Sequence, residues 1–251
     1  MKPALSVIFF TVLSGMGYGL WCLLGIALAI GAYPHAGTGV LVPLAFGFVL
    51  ASTSQLGRPE RAWRALSQWR SSWLSREGIA SLLTYLPMLA VAWYAYFGSA
   101  GFGLRVAGAL LALCAFATVL CTANIYRSLK TIRAWRAPQV LPLYFMFALL
   151  SGGLWLWSWL LFTSKGATGA AFPLALLALA VIAAIIKFDY WHAIDALPAN
   201  TAGHATGLEA LGAVRAFEGP VTEESYLTRE MAFVLARKHA ARLRQGALAL
   251  F

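Results

Sequence analysis

Few side chains in this sequence are equipped for chemistry, and their placement is informative. Glu77 stands at the edge of a long apolar run, directly after Arg76. A carboxyl held at a membrane edge is costly to desolvate, and acids in such positions take up and release protons. The competing reading is a helix-start acid favoured by the helix dipole and paired with Arg76. Cys22, Cys114 and Cys121 all lie inside apolar runs and form no CxxC pair. That spacing argues against an iron–sulfur cluster, a zinc site or a disulfide framework, and for small buried hydrophobes. His35 falls in a loop, while His192, His204 and His239 follow the last complete apolar run. No two histidines face each other from neighbouring runs as a haem would require, although His192 could supply a single ligand at a membrane edge. There is no phosphate-binding glycine loop and no nucleophile constellation. The residues predict proton handling by a chain with no haem, iron–sulfur cluster or metal site of its own.

The elements that position Glu77 follow from composition. Hydrophobic residues make up 61% of the 251-residue chain and charged residues 11%. A soluble domain of this length could not hide so much apolar surface. The apolar residues are gathered into runs of about 20, enough to cross a hydrocarbon core as helices. Six complete spans are expected: Leu5–Ile30, Gly39–Gln55, Glu77–Phe97, Leu104–Tyr126, Leu141–Phe162 and Phe172 to about Tyr190. Barrel-type alternation is absent, so the spans must be helices with internally satisfied backbones. The fold class is all-α, a polytopic transmembrane helix bundle. The first run exceeds a signal-peptide core and AIGAYPHAG is a poor cleavage site, so this helix is expected to be retained.

Basic residues set the orientation. With six spans, 17 of the 19 lysines and arginines share one side, and only Arg105 and Lys165 fall on the other. Lysine and arginine in short loops resist translocation, so the basic side, with the N-terminus, is expected to be cytoplasmic. The net charge of +10 then follows from topology and contact with anionic head groups, without nucleic acid. The densest part is Ser52–Gly78, with five arginines and three tryptophans. Pro59 and Glu60 favour a helix start there, and Arg61, Arg64 and Gln68 recur at helical spacing beside Trp63, Leu66 and Trp69, as in an interfacial helix. A lipid-anchoring loop and a protein-docking surface both fit that pattern. The chain reads as a single integral membrane domain over residues 1–251, with a cytoplasmic segment at about 189–244. Ser225–Arg244 has helical periodicity, and the closing GALALF reads as the start of a seventh span, so the chain is expected to continue past Phe251.

The blocks PALSVIFFTVLSGMGYG, STSQLGRPERAWRAL, SWLSREG and NIYRSLKTIRAW, with Tyr226–Leu243 near the end, resemble the membrane-anchor subunit of dimethyl sulfoxide reductase type molybdoenzymes, the DmsC family. The resemblance covers essentially the whole chain. It implies a bundle of typically eight helices. It also implies a quinone-interacting anchor that holds a molybdopterin catalytic subunit and an iron–sulfur subunit, passing electrons between the partner's clusters and ubiquinone or menaquinone. On that basis the quinone-binding candidates are Gln55, Arg58, Glu77, Asn124 and Tyr126. Glu77 matches the acid of the family's serine-x-glutamate motif. Gln55 stands where many members have the histidine of a His-Leu-Gly motif; glutamine can bond a quinone carbonyl but cannot relay a proton near neutral pH. The resemblance makes the basic loops the docking loops, with Arg61, Arg64, Trp69, Arg70, Arg76, Arg127, Lys130 and Arg133 as partner contacts.

Docking loops on the cytoplasmic side point away from a periplasmic reductase. They favour a cytoplasm-facing enzyme that delivers electrons to quinone in the bacterial inner membrane, the sulfite dehydrogenase type being the expectation by analogy. The alternative within the family is a DMSO-type reductase anchor oxidising menaquinol. Outside it stand a transporter and a scaffold without redox role. A transporter should carry interrupted spans or mid-membrane charge. Pro43 and Pro87 could interrupt two spans, but no charged residue lies at the centre of any span.

Overall fold

Every regular element among the described residues is helical, as lipid requires of a spanning backbone. The computed structural model describes residues 3–33, 37–52, 63, 66–98, 101–129, 133–163, 169–196, 203, 206–214 and 239–249. They belong to two compact units, Leu5–Ile194 and a second made of Met1–Ala4 with Asp195–Phe251.

The first unit is built from six helices: α1 (Pro3–Ala29), α2 (Thr38–Ala51), α3 (Trp73–Tyr96), α4 (Phe102–Arg127), α5 (Val140–Thr163) and α6 (Ala171–Asp195). Five of them are long and apolar enough to cross a membrane. The exception is α2, described over 14 residues, or about 21 Å at 1.5 Å per residue against a core of about 30 Å. The expected second span ran on to Gln55, and residues 53–55 lie outside the described residues. Two other boundaries differ from expectation. Helix α3 begins at Trp73, one turn before Glu77, because Ser72 is extended (φ −111°, ψ 125°) and the chain turns helical directly after it. Helix α6 continues to Asp195 rather than stopping near Tyr190. Charged side chains at 187, 189 and 192 mark a change of surroundings, and nothing about them breaks a helix.

Helix α1 is the hub of this unit, and its glycines allow it. A Cβ on Gly19 would collide with the Ala148 carbonyl of α5, and one on Gly152 of α5 would collide with the backbone at Leu20. A Cβ on Gly25 would stand 2.5 Å from the Gly108 carbonyl of α4, and one on Gly17 2.9 Å from the Gly47 carbonyl of α2. Close backbone approach through small residues is how helices associate where lipid removes the hydrophobic drive. Trp21 is fully buried; its indole covers Gly47 and donates to the Leu44 carbonyl of α2 at 3.0 Å. Aromatic stacking adds α2 to α5 through Phe46–Trp155 (3.6 Å between centroids) and α4 to α5 through Phe116–Phe145 (4.3 Å). At the end away from the basic loops, the Gly39 carbonyl accepts from both the Tyr33 hydroxyl and the Trp159 indole, each at 2.9 Å.

Helices α3 and α4 form an antiparallel pair. The buried face of α3 runs Ser75, Thr84, Pro87, Met88, Val91, Ala95, and that of α4 carries Ala107, Leu111, Ala115, Thr118 and Thr122. Helix α6 is peripheral, with only Leu176 and Ala183 buried among its residues. Leu174, Leu177, Val181 and Ile185 are exposed, as suits a surface solvated by acyl chains.

The second unit contains a 3-10 turn at Glu209–Leu211 and helix α7 (Ala240–Ala249). Within it Arg244 makes a two-pronged ion pair with Asp195, at 2.6 and 2.8 Å. Gly246–Ala249, the start of the expected seventh span, continues α7. Most of Ser225–Arg244 lies outside the described residues.

Candidate functional site

The chemistry-bearing side chains gather where α1, α3, α4 and α5 meet, at the end of the bundle that carries the basic loops. Starting α3 at Trp73 puts Trp73–Arg76 in its first turn and Glu77 in its second, facing inward with Ser81 and Thr84 at the next turns. Glu77 is therefore not a helix-start acid. On α4, Thr118, Thr122 and Tyr126 repeat every four residues and share one stripe. The Thr122 hydroxyl lies 2.5 Å from Glu77 Oε1 as donor, and 3.1 Å from the Thr118 carbonyl of its own helix. One turn deeper, the Thr84 and Thr118 hydroxyls meet at 3.2 Å across the α3–α4 seam, each also directed at a carbonyl of its own helix. Both of these threonines are fully buried.

Tyrosines close the cluster from the other helices. The Tyr18 hydroxyl of α1 lies 2.6 Å from the Ser81 hydroxyl of α3. The Tyr126 hydroxyl of α4 lies 3.1 Å from Thr11 of α1, while its ring stacks on Tyr144 of α5 at 5.6 Å and meets Trp135 edge-on at 5.1 Å. Tyr18 and Tyr144 are both within electrostatic reach of Glu77, as is Cys121. Arg76 is not its partner. That guanidinium donates to the carbonyls of Trp69 (2.9 Å) and Arg70 (2.6 Å) and lies 4.4 Å over the Trp73 ring. No ion pair joins Arg76 to Glu77 among the described residues. Glu77 is thus a carboxyl held by one hydroxyl within an aromatic, hydroxyl-rich wall. Its second oxygen, Oε2, has no hydrogen-bond partner among the described residues. The set can hold, accept or release a proton at Glu77 and can hydrogen-bond carbonyl oxygens.

The family profile of the DMSO reductase anchor subunit (DmsC) matches residues 1–207. The chain belongs to the DmsC family. It is also similar to a membrane-anchor relative from Allochromatium vinosum that is named as a sulfite dehydrogenase component, at 33% identity over 178 residues, covering 61% of this chain and 53% of that protein. The chain thus spans about half the length of the curated relative it matches. No solved structure matches it.

For this DmsC-family chain, the five quinone-site candidates read from sequence divide three ways. Glu77 and Tyr126 reach the same cluster. Asn124 does not: two residues from Thr122 it is on another face of α4, and its amide is spent on the Leu120 carbonyl at 2.8 Å. Gln55 and Arg58 lie outside the described residues. Of the docking candidates, Trp69, Arg70 and Arg127 are exposed, and Arg70 lies 5.4 Å over Trp69. Arg76 is turned inward onto loop carbonyls instead of presenting its charge. Arg61, Arg64 and Lys130 lie outside the described residues; Arg133 opens the short helix Arg133–Arg136. The expected interfacial helix over Pro59–Gln68 also lies mostly outside them. Within its described part Trp63 is exposed, Leu66 packs beside Gly78, and the Gln68 carbonyl accepts from the backbone of Ser71 and Ser72.

Reading the sequence missed Thr122, Tyr18, Ser81 and Tyr144. The threonine was findable: Thr118, Thr122 and Tyr126 form a polar stripe at i, i+4, i+8 in an otherwise apolar helix. The other three become members only through the way α1 and α5 cross the α3–α4 pair, which no local pattern encodes.

Proposed function

We propose that this chain is the quinone-interacting membrane anchor of a molybdopterin and iron–sulfur oxidoreductase, and that Glu77 exchanges the protons of quinone chemistry. The observation that carries the reading is the buried-side carboxyl of Glu77, held by Thr122 and walled by Tyr18, Tyr126 and Tyr144 at the basic end of the bundle. A quinone presents two carbonyl oxygens on a flat apolar ring. Aromatic side chains suit the ring, hydroxyls can donate to its oxygens, and a carboxyl can supply protons as electrons arrive from a partner's cluster. By sequence, Gln55 and Arg58 belong to the same site. Supplying no redox ligands of its own, the chain would serve by holding quinone near that cluster.

The basic loops place the partners on the cytoplasmic side of the bacterial inner membrane under the positive-inside rule. In that orientation electrons would come from a cytoplasmic donor. Sulfite is the donor favoured by the similarity to the Allochromatium protein. Sulfite and water would yield sulfate, two protons and two electrons at the catalytic partner, and quinone would take up two electrons and two protons to give quinol. Purification of the native complex tests the assembly: co-elution of a molybdenum-containing protein and an iron–sulfur protein is expected, and their absence would refute it. Titration of Glu77→Gln with a quinone-analogue inhibitor tests the site. Affinity and turnover equal to those of the unaltered complex would remove Glu77 from it.

A further inference from the structure

The Thr122 hydroxyl has one hydrogen and two acceptors, Glu77 Oε1 at 2.5 Å and the Thr118 carbonyl at 3.1 Å. It cannot serve both at once. We infer that Thr122 is the positioning residue for Glu77, a hydroxyl whose single hydrogen alternates between carboxylate and helix carbonyl as the carboxyl loses and gains a proton. The inference rests on the reading of Glu77 as the proton-exchanging group. When Glu77 is ionised, Thr122 donates to Oε1, and 2.5 Å falls in the short range of charge-assisted O–H···O bonds. When a proton from water at the basic end reaches the carboxyl, the new O–H donates to Thr122 Oγ1. The Thr122 hydrogen then turns about the Cβ–Oγ1 bond onto the Thr118 carbonyl. One proton enters and stays on the carboxyl, the Glu77–Thr122 contact keeps a hydrogen in either state, and the same proton can leave toward a quinone oxygen.

Without that hydroxyl, a buried carboxyl would be satisfied in at most one protonation state, and the unsatisfied state would carry the desolvation cost. The titratable groups facing Glu77 from neighbouring helices are Tyr18 on α1, Cys121 on α4 and Tyr144 on α5. None of them makes a hydrogen bond to Glu77 among the described residues, so Thr122 alone supplies the alternating contact there.

The test compares Thr122→Val, Thr122→Ser and Glu77→Gln in the purified native complex, with a short-chain benzoquinone as electron acceptor. A hydrogen bond to a charged group predicts a fall in kcat of roughly tenfold or more for Thr122→Val. Its KM for the quinone should stay within about twofold, and the pH profile of kcat should move by about one unit. Thr122→Ser, which keeps the hydroxyl, should restore both. Infrared difference spectra give a readout independent of turnover. The carboxyl band missing in Glu77→Gln should shift in Thr122→Val and stay in place in Thr122→Ser. An unshifted band, an unmoved pH profile, or a serine variant as impaired as the valine one overturns the inference. Unchanged turnover in Glu77→Gln instead removes the quinone reading of Glu77, and the infrared band alone then decides whether Thr122 sets that carboxyl's hydrogen bond.

Discussion

Replacing Gly19 by alanine tests whether α1 is the hub on which the site is mounted. A methyl group there would run into the Ala148 carbonyl of α5 and stand 3.1 Å from the Leu149 amide. Across the seam, a Cβ on Gly152 would meet the backbone at Leu20 and stand 2.8 Å from the Met16 carbonyl. All of these obstacles are backbone atoms, so no rotamer change relieves them. The helices must separate, by on the order of 1 Å, which abandons the close contact that gives membrane helices their affinity. Overpacking of this kind costs about 1–3 kcal/mol, a factor of roughly 5 to 150 in the folded-to-unfolded ratio. Gly15→Ala is the matched control, because a Cβ at Gly15 meets nothing within 4 Å. Titrating each purified variant from mild detergent into dodecyl sulfate, with tryptophan fluorescence as the signal, measures the difference. Tyr18, the residue before Gly19, should lose its 2.6 Å contact with Ser81 as α1 moves. Indistinguishable unfolding of Gly19→Ala and Gly15→Ala would refute the backbone-contact argument.

Two more perturbations follow from contacts outside the spans. Burial raises the Tyr33 phenol above its ordinary pKa of 10.0, the bond with Trp159 opposing this in part. Below pH about 10 folded and unfolded chains both keep the proton; above it the unfolded chain releases it first. Stability therefore falls as pH rises past 10, by up to about 1.4 kcal/mol per pH unit. Tyr33→Phe should flatten that alkaline limb in thermal unfolding between pH 8 and 11, at a cost near neutral pH of about 1 kcal/mol for the lost Gly39 bond. Equal alkaline slopes in the two proteins would show that Tyr33 does not titrate this way. Arg76→Ala should free the carbonyls of Trp69 and Arg70 and uncover the Trp73 ring. With these bonds exposed, about 1 kcal/mol is at stake, or roughly fivefold faster amide exchange over residues 66–72. Arg76→Lys should not rescue it, since an ammonium cannot fork between two carbonyls while lying on an indole; unchanged exchange in Arg76→Ala would remove the guanidinium as the staple of this turn.

Much of the bundle was legible because lipid leaves the backbone one option, so a run of apolar residues is already a helix. The spans centred near residues 17, 87, 115, 152 and 181 needed no tertiary information. Their ends did. At α3 the chain turns helical at Trp73, four residues before the charge that seemed to open it. At α6 it continues through Lys187, Asp189 and His192, because a change of solvent ends an apolar run without ending a helix. The site was half legible for a related reason. Glu77 stood out by charge and Tyr126 by its place at the end of a span, but which face each presents depends on where its helix starts. Moving the start of α3 back by one turn converts Glu77 from a dipole-favoured end residue into an inward-facing carboxyl. It also leaves Arg76 free to bind the loop behind it. Asn124 shows the converse: a polar residue near a span end with its amide satisfied by the preceding turn needs no partner helix, and composition cannot distinguish it from Thr122. What separates the two is the four-residue repeat with Thr118 and Tyr126, a stripe that only a partner carrying Glu77, Ser81 and Thr84 at matching heights can use.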